Sequence, residues 1–277
     1  MVEHIHPPAA SPQELYSQRD NPAYKAELAK RTAARDAAFL LPYLCPGMRL
    51  LDVGCGPGTI TLGLAEAVAS GEVIGIDLEP AQIEEARAVA TERGVTNVRF
   101  EVGDAYRIPF ADHSFDAVFA HTVLMHLREP VRALAEMRRV LRPGGIAGVR
   151  DPDVGAGFTV PATPLQEQRR ALQLRVLQKN GGDFYLGRHH RRLLLEAGFV
   201  RAEATASTES AGSPEAIRRR AAVAKIRLRG FAKVGLAEGW VTEAAVEAML
   251  ADIDAWAERP DAFFVSTWCE AVGWKSN

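Results

Sequence analysis

Gly54, Gly56 and Gly58 alternate with Cys55 and Pro57 in LLDVGCGPGT (50–59), directly after an apolar run that ends on Asp52 and Val53. Glycine at alternate positions strips side chains from a bend, so that backbone N–H groups can approach a ligand closely. Such a bend between a strand and a helix also presents the positive end of the helix dipole, which favours an anionic group. Asp52 narrows the choice. A carboxylate just before the bend repels a pyrophosphate in a partly dry site but complements an ammonium or a sulfonium. The dinucleotide fingerprint G-x-G-x-x-G needs a third glycine at position 59, where this chain has Thr59. The bend therefore suits a zwitterionic amino acid joined to a nucleoside, the chemistry of S-adenosylmethionine (SAM). Cys55 reads as a small filler inside it.

Two further acids stand at strand ends. Asp77 closes GIDLEP, where a carboxylate accepts from both hydroxyls of a ribose. Asp104 closes EVGD, where it accepts from the exocyclic amine of adenine while the Ala105 amide faces a ring nitrogen. Ligands of open α/β sheets sit at the carboxyl ends of strands.

The elements that must position these groups alternate. Strands are expected in MRLLDVGC, EVIGIDL, VRFEVGD, FDAVFAHTV and IAGVRDPD, with helices over TITLGLAEAVAS, Pro80 to Gly94 and Glu129 to Arg142, the last stopped by RPGG (142–145). That alternation implies a parallel sheet covered on both faces. Residues 11–46 read as one or two helices ended by Pro42 and Pro46. Residues 153–186 read as an insertion with a helix near 164–179, followed by the helix GRHHRRLLLEAG and the strand VRAEATAST. Two more helices are expected over 213–258, the first behind Ser213-Pro214-Glu215. AFFVSTWCEAVGW reads as the last strand. The domain division is a helical segment over 1–46 and a cofactor-binding domain over 47–277, with helical inserts near 153–186 and 213–258 that form a lid.

With these blocks in place the chain resembles the class I SAM-dependent methyltransferases, in the branch similar to the ubiquinone/menaquinone-type enzymes. The resemblance rests on LLDVGCGPGTITLGLA, VIGIDLEP, VRFEVGDAYRIPF, FDAVFAHTVLMHL and EMRRVLRPGG in that order. It implies a Rossmann-like, seven-stranded α/β sheet, mostly parallel, with the last strand antiparallel. It also implies that Gly54, Gly56 and Gly58 approach the methionine part of SAM, Asp77 the ribose, and Asp104 and Ala105 the adenine, with Asp52, Cys55 and Leu78 also among the cofactor-binding residues. Ala120 and His121 follow the fourth strand near the reacting end of the cofactor.

Methyl transfer from a sulfonium is an in-line displacement governed by alignment and dryness, so a base is needed only where the acceptor must lose a proton. His121 is the first candidate and His126 the second. Asp151 follows, and then His189 and His190. Tyr16 and Arg19, ahead of the first strand, are candidates to fold over the cofactor.

Composition bounds the rest. The chain has 277 residues, 47% hydrophobic and 25% charged, with a formal charge of −2, which gives no electrostatic reason for nucleic acid or an anionic membrane as partner. The run RRRAAVAKIRLRGFAK (218–233) lacks acids and reads as an amphipathic lid helix before it reads as an RNA-facing one. Cys45, Cys55 and Cys269 have no metal or disulfide spacing, so no metal is expected. No stretch has signal-peptide form or spans a bilayer, which leaves a cytoplasmic protein as the expectation. The expected partner is a small-molecule acceptor, with a homodimer as one assembly. Competing readings are an NAD-dependent oxidoreductase, opposed by Thr59, and a SAM-binding protein that transfers no methyl. An RNA or protein methyltransferase is opposed by AHTVLMHL, which stands where an N-P-P-Y-type block would.

Overall fold

A computed structural model describes residues 21–277. Seven strands form one sheet in the order β3-β2-β1-β4-β5-β7-β6. They are β1 (Arg49–Val53), β2 (Glu72–Asp77), β3 (Val98–Val102), β4 (Phe115–His121), β5 (Leu141–Val160), β6 (Arg201–Ala211) and β7 (Phe263–Trp274). Pairing is parallel among β1 to β5, and β7 runs antiparallel between β5 and β6. The expected sheet is the observed one. Leu50, Leu51, Val53, Ile74, Ile76, Val118 and Phe119 are fully buried, as strands covered on both faces require. Because β2 lies on one side of β1 and β4 on the other, the strand order reverses at β1, where a crevice opens at the carboxyl ends.

Helices follow local signals. In chain order α1 is Pro22–Leu28, α2 Ala33–Asp36, α3 Thr59–Ala67, α4 Pro80–Glu92 and α5 Pro130–Val140. They continue with α6 (Pro164–Lys179), α7 (His190–Glu196), α8 (Pro214–Ala237) and α9 (Glu243–Ala257). Proline opens α4, α5, α6 and α8, where its missing N–H costs nothing. Thr163, Ser213 and Thr242 each accept from the backbone N–H three residues on, so α6, α8 and α9 carry N-caps.

Three expectations change. RPGG stops α5, but β5 begins at Leu141 and the register jumps from Phe115–Leu141 to Ala117–Ile146, so those residues loop out within the strand. β5 also runs seven residues past Asp153, because after an irregularity it pairs again with β7 at Phe158–Val265 and continues to Val160–Phe263. The helical excursion therefore starts after Val160. Among the described residues before β1 there are two short helices and a 3-10 turn over Leu41–Tyr43, with Pro42 inside the turn instead of ending a helix, and the part of the expected 11–46 segment before residue 21 lies outside them. Tyr16 and Arg19 lie outside the described residues.

The strand extensions carry α6, α8 and α9. Trp256 Nε1 of α9 donates to the Val160 carbonyl at 2.9 Å, and Thr163 Oγ1 donates to Asp252 at 2.8 Å. Leu172, Ile217, Leu228, Val246 and Ile253 of these helices share one continuous apolar cluster with Leu51 and Val53 of the sheet. On the other side Asn21, the N-cap of α1, donates to the Ile226 carbonyl of α8 at 3.0 Å.

Candidate active site

The glycine bend folds for two separate reasons. Gly54, Gly56 and Gly58 all have positive φ, at 72°, 52° and 76°. A Cβ on Gly54 would meet Val123 Cγ2 at 2.4 Å, and one on Gly58 would meet Phe100 Cζ at 2.7 Å. At Gly56 the nearest atom would be Gln82 Oε1, at 3.7 Å. Gly58 thus serves the packing of α3 against β3. It is not among the residues that line the cavity beside the bend, and its backbone conformation is accounted for by packing.

That cavity has a volume of about 750 Å³ at the carboxyl ends of β1, β2 and β4. Asp52, Gly54, Cys55, Gly56, Asp77, Leu78, Asp104, Ala105, His121 and His126 line it, as expected of them. Ala120 does not: it is buried in the sheet, since only alternate β4 side chains face the crevice. Asp77 Oδ2 accepts from Gly56 N at 2.9 Å and Oδ1 from Glu79 N at 3.0 Å, which ties the bend to the start of α4. Burial pushes this carboxyl up while the backbone donors pull it down, with a net rise. Asp104 Oδ1 accepts from Tyr106 N at 2.8 Å and the residue stays exposed.

Asp52 is buried and accepts from Thr61 Oγ1 at 2.6 Å. Desolvation pushes its pKa up to about 7. A buried acid in that state gains from a cationic neighbour. Burial, with Asp52 and Asp77 nearby, pushes the Cys55 thiol well up, which makes it an inert filler. Gln82 Oε1 is buried against the same space and has no hydrogen-bond partner. Acceptors therefore dominate the wall, and a ligand with several N–H and O–H groups fits it. SAM, with an ammonium, two ribose hydroxyls and an adenine amine, meets that condition. Lys25 and Arg31 on the facing wall suit its carboxylate.

Of the candidate bases, His121 and His126 line the cavity, and Asp151, His189 and His190 do not. His121 Nε2 lies 2.8 Å from Arg150 Nη1, and its ring stacks between Trp268 and Phe119 at centroid distances of 5.4 and 6.3 Å. Arg150 must donate there, which leaves the imidazole proton on Nδ1, 3.4 Å from Thr122 Oγ1. Burial, then the charges of Arg31, Arg150 and Arg35, hold the ring neutral, well below the usual histidine range. His126 is pushed down to about 4 by burial and by Arg31 and Arg227. Asp151 and His190 pair with one another at 2.9 Å beneath the sheet, and His189 is exposed. None of these three lines the cavity.

Arg31 and Thr122 escaped the sequence reading. Thr122 sits at φ 54° after β4, a conformation unusual for a β-branched residue and one that collects at functional sites. The segment ahead of β1 was the right place to look, and the residue there is Arg31.

A second cavity of about 710 Å³ adjoins the first. The two share Leu28, Arg31, Thr122 and His126. Its other walls come from the extensions of β5 and β7 and from α6 and α8, where Phe184, Phe231 and Phe264 stand beside Arg169, Arg220 and Arg227. The basic run of α8 thus turns part of its charge inward.

Comparison with known proteins agrees with this geometry. Residues 44–185 match the family described as "Methyltransferase domain". An uncharacterized methyltransferase of Schizosaccharomyces pombe is 36% identical over 196 residues, covering 68% of this chain and 69% of its own. Aklanonic acid methyltransferase DauC of a Streptomyces species is 43% identical over 119 residues, 43% of this chain and 54% of that protein. Among solved structures, the [4+2]-cyclase SpnF matches with a TM-score of 0.51 at 26% identity, over 92% of this chain and 80% of that one. The chain belongs to the class I SAM-dependent methyltransferase family. SAM is its cofactor.

Proposed function

We propose that the chain transfers a methyl group from SAM, bound in the first cavity, to a small molecule seated in the second. The observation that carries this reading is the shared wall of Leu28, Arg31, Thr122 and His126, where the two chambers meet. The cofactor supplies a methyl group on a cationic sulfur.

The chain's own residues supply position and dryness. Asp77 and Leu78 face the ribose, Asp104 and Ala105 the adenine, and Asp52 the ammonium, while Gly54 and Gly56 leave room for the amino-acid tail. Cys55 fills the space behind it. Arg31 reaches the carboxylate from the opposite wall. His121 acts as a positioning residue, fixed by Arg150 and Trp268. His126, at about 4, is too weak a base to hold a proton near neutral pH, so transfer here rests on alignment. The helices α6, α8 and α9 roof the second cavity as a lid over the domain formed by residues 47–277, with 1–46 as a flanking segment.

A small-molecule acceptor is supported by DauC, whose name gives aklanonic acid as its substrate. It is also supported by an acceptor chamber of small-ligand size. Inward-turned arginines on α8 and a formal charge of −2 favour it over nucleic acid. Three free thiols are consistent with work in a reducing cytoplasm. Among the described residues no helix is long and apolar enough to cross a membrane, and no side-chain cluster could hold a metal.

Calorimetry with SAM, S-adenosylhomocysteine and NAD tests the reading. Heat with the first two and none with NAD is expected, and silence with both sulfur nucleosides removes the proposal.

A further inference from the structure

The second cavity is bordered by more cations than acids, and some of those cations are already paired, Arg35 with Asp36 and Arg219 with Glu215. Eight basic side chains border it against five acidic ones. Of the acids, Glu27 pairs with Lys30, Asp36 with Arg150 and Asp153 with Arg188. Glu209 leans toward Arg35 and Arg150 at 3.8 and 3.9 Å, and Glu167 is exposed on α6. Arg169 of α6 and Arg220 of α8 make no ion pair among the described residues. Arg169 Nε is buried without a hydrogen-bond partner. Arg220 lies with its guanidinium over the Phe264 ring, 3.9 Å from the centroid.

These cations also oppose one another. Burial, then Arg227 and Arg169, push Arg220 down to about 9 against the opposing pull of Glu209, and burial with Arg227 lowers Arg169 against that of Asp252. Arg220 still carries its charge at neutral pH. Arg169 and Arg220 are partly buried, and a charge drawn from water without an ion-pair partner is costly, a cost that a bound anion would offset. A guanidinium fork matches the two oxygens of a carboxylate or a phosphate.

We propose that the second cavity selects an acceptor bearing an anionic oxygen group, carboxylate or phosphate, which Arg169 and Arg220 hold while its apolar body lies against Phe184, Phe231 and Phe264. The proposal rests on the methyl-transfer reading for the word acceptor, whereas the anion selectivity is measurable without turnover.

The test is calorimetry on the full chain saturated with S-adenosylhomocysteine, titrated with 2-naphthoate, 2-naphthyl phosphate and neutral 2-naphthamide. Either anion is expected to bind at least tenfold tighter than the amide, and the tighter of the two identifies the group. Arg220→Met and Arg169→Gln are each expected to abolish that preference while leaving S-adenosylhomocysteine affinity within threefold. Arg220→Met should also raise the melting temperature of the ligand-free protein, since it removes an opposed cation, and should lose the thermal shift that naphthoate gives the wild type. Equal affinity for amide and anions, or a preference that survives both substitutions, overturns the proposal. Failure of the first ligand, S-adenosylhomocysteine, to bind would strike the methyl-transfer reading instead.

Discussion

Arg31 Nη1 donates to Thr122 Oγ1 across 3.0 Å, joining the segment that precedes β1 to the left-handed residue that ends β4. Both residues border both cavities. The contact ties the two segments together at the wall that the cavities share, and it holds a cation beside the space proposed for the amino-acid tail.

Arg31→Ala therefore weakens cofactor binding more than it weakens the fold. A hydrogen bond to a charged group contributes about 1.5–3 kcal/mol, so S-adenosylhomocysteine affinity should fall by roughly 10- to 150-fold. The melting temperature without ligand should move little. Calorimetry on the variant checks this, and unchanged affinity takes Arg31 out of the site.

Asp52 gives the site a pH dependence. Its pKa in the ligand-free protein is about 7, and a cationic ligand favours the ionised form, so affinity for the ammonium-bearing cofactor drops as pH falls below 7. The slope approaches tenfold per pH unit once the group is protonated. Stability of the ligand-free protein runs the opposite way. The folded state takes up a proton near 7 that the unfolded state takes only near the ordinary value of 3.8, so this group adds stability as pH falls from 8 toward 5. Asp52→Asn should flatten both curves, and titrations at pH 5.5 to 8 would settle it.

Two glycines separate binding from folding. Gly58→Ala drives a Cβ to 2.7 Å from Phe100 at a left-handed φ, an overpacking that costs about 1–3 kcal/mol and lowers the denaturation midpoint. Gly56→Ala meets nothing closer than 3.7 Å, though its φ of 52° still costs something. The Gly56 variant should lose more affinity than stability. Equal losses for the two would contradict the division.

How much of this was legible in the sequence depends on the distance between partners along the chain. The glycine bend, Asp77 and Asp104 are local signals at strand ends, and the cavity contains them. The order of strands and helices followed from periodicity and caps. The surroundings of His121 were not legible, because Arg150 gathers Asp36 at 3.0 Å and Glu270 at 3.0 Å from positions 114 and 120 residues away. The run 218–233 reads as an amphipathic helix, but its local pattern does not sort its basic residues into those facing solvent and those facing a chamber. β5 was drawn too short because its last residues pair only with β7, more than a hundred residues later.

Arg150→Met tests that buried network. It leaves Asp36 and Glu270 facing an apolar side chain, at about 3–5 kcal/mol for a broken buried pair. The melting temperature should fall on the order of 10 °C, with the His121 ring losing its donor. A variant that melts with the wild type would show that these charges are balanced elsewhere.

β5 and β7 continue together beyond the last parallel pairing. The second cavity is walled in part by that overhang, whereas the first lies at the strand ends of the sheet proper. On the proposed division of labour, exchanging residues of the overhanging part should re-tailor which molecule is seated and leave cofactor affinity unchanged. Grafting this cantilever, helices included, onto another member of the fold should transplant the choice of acceptor.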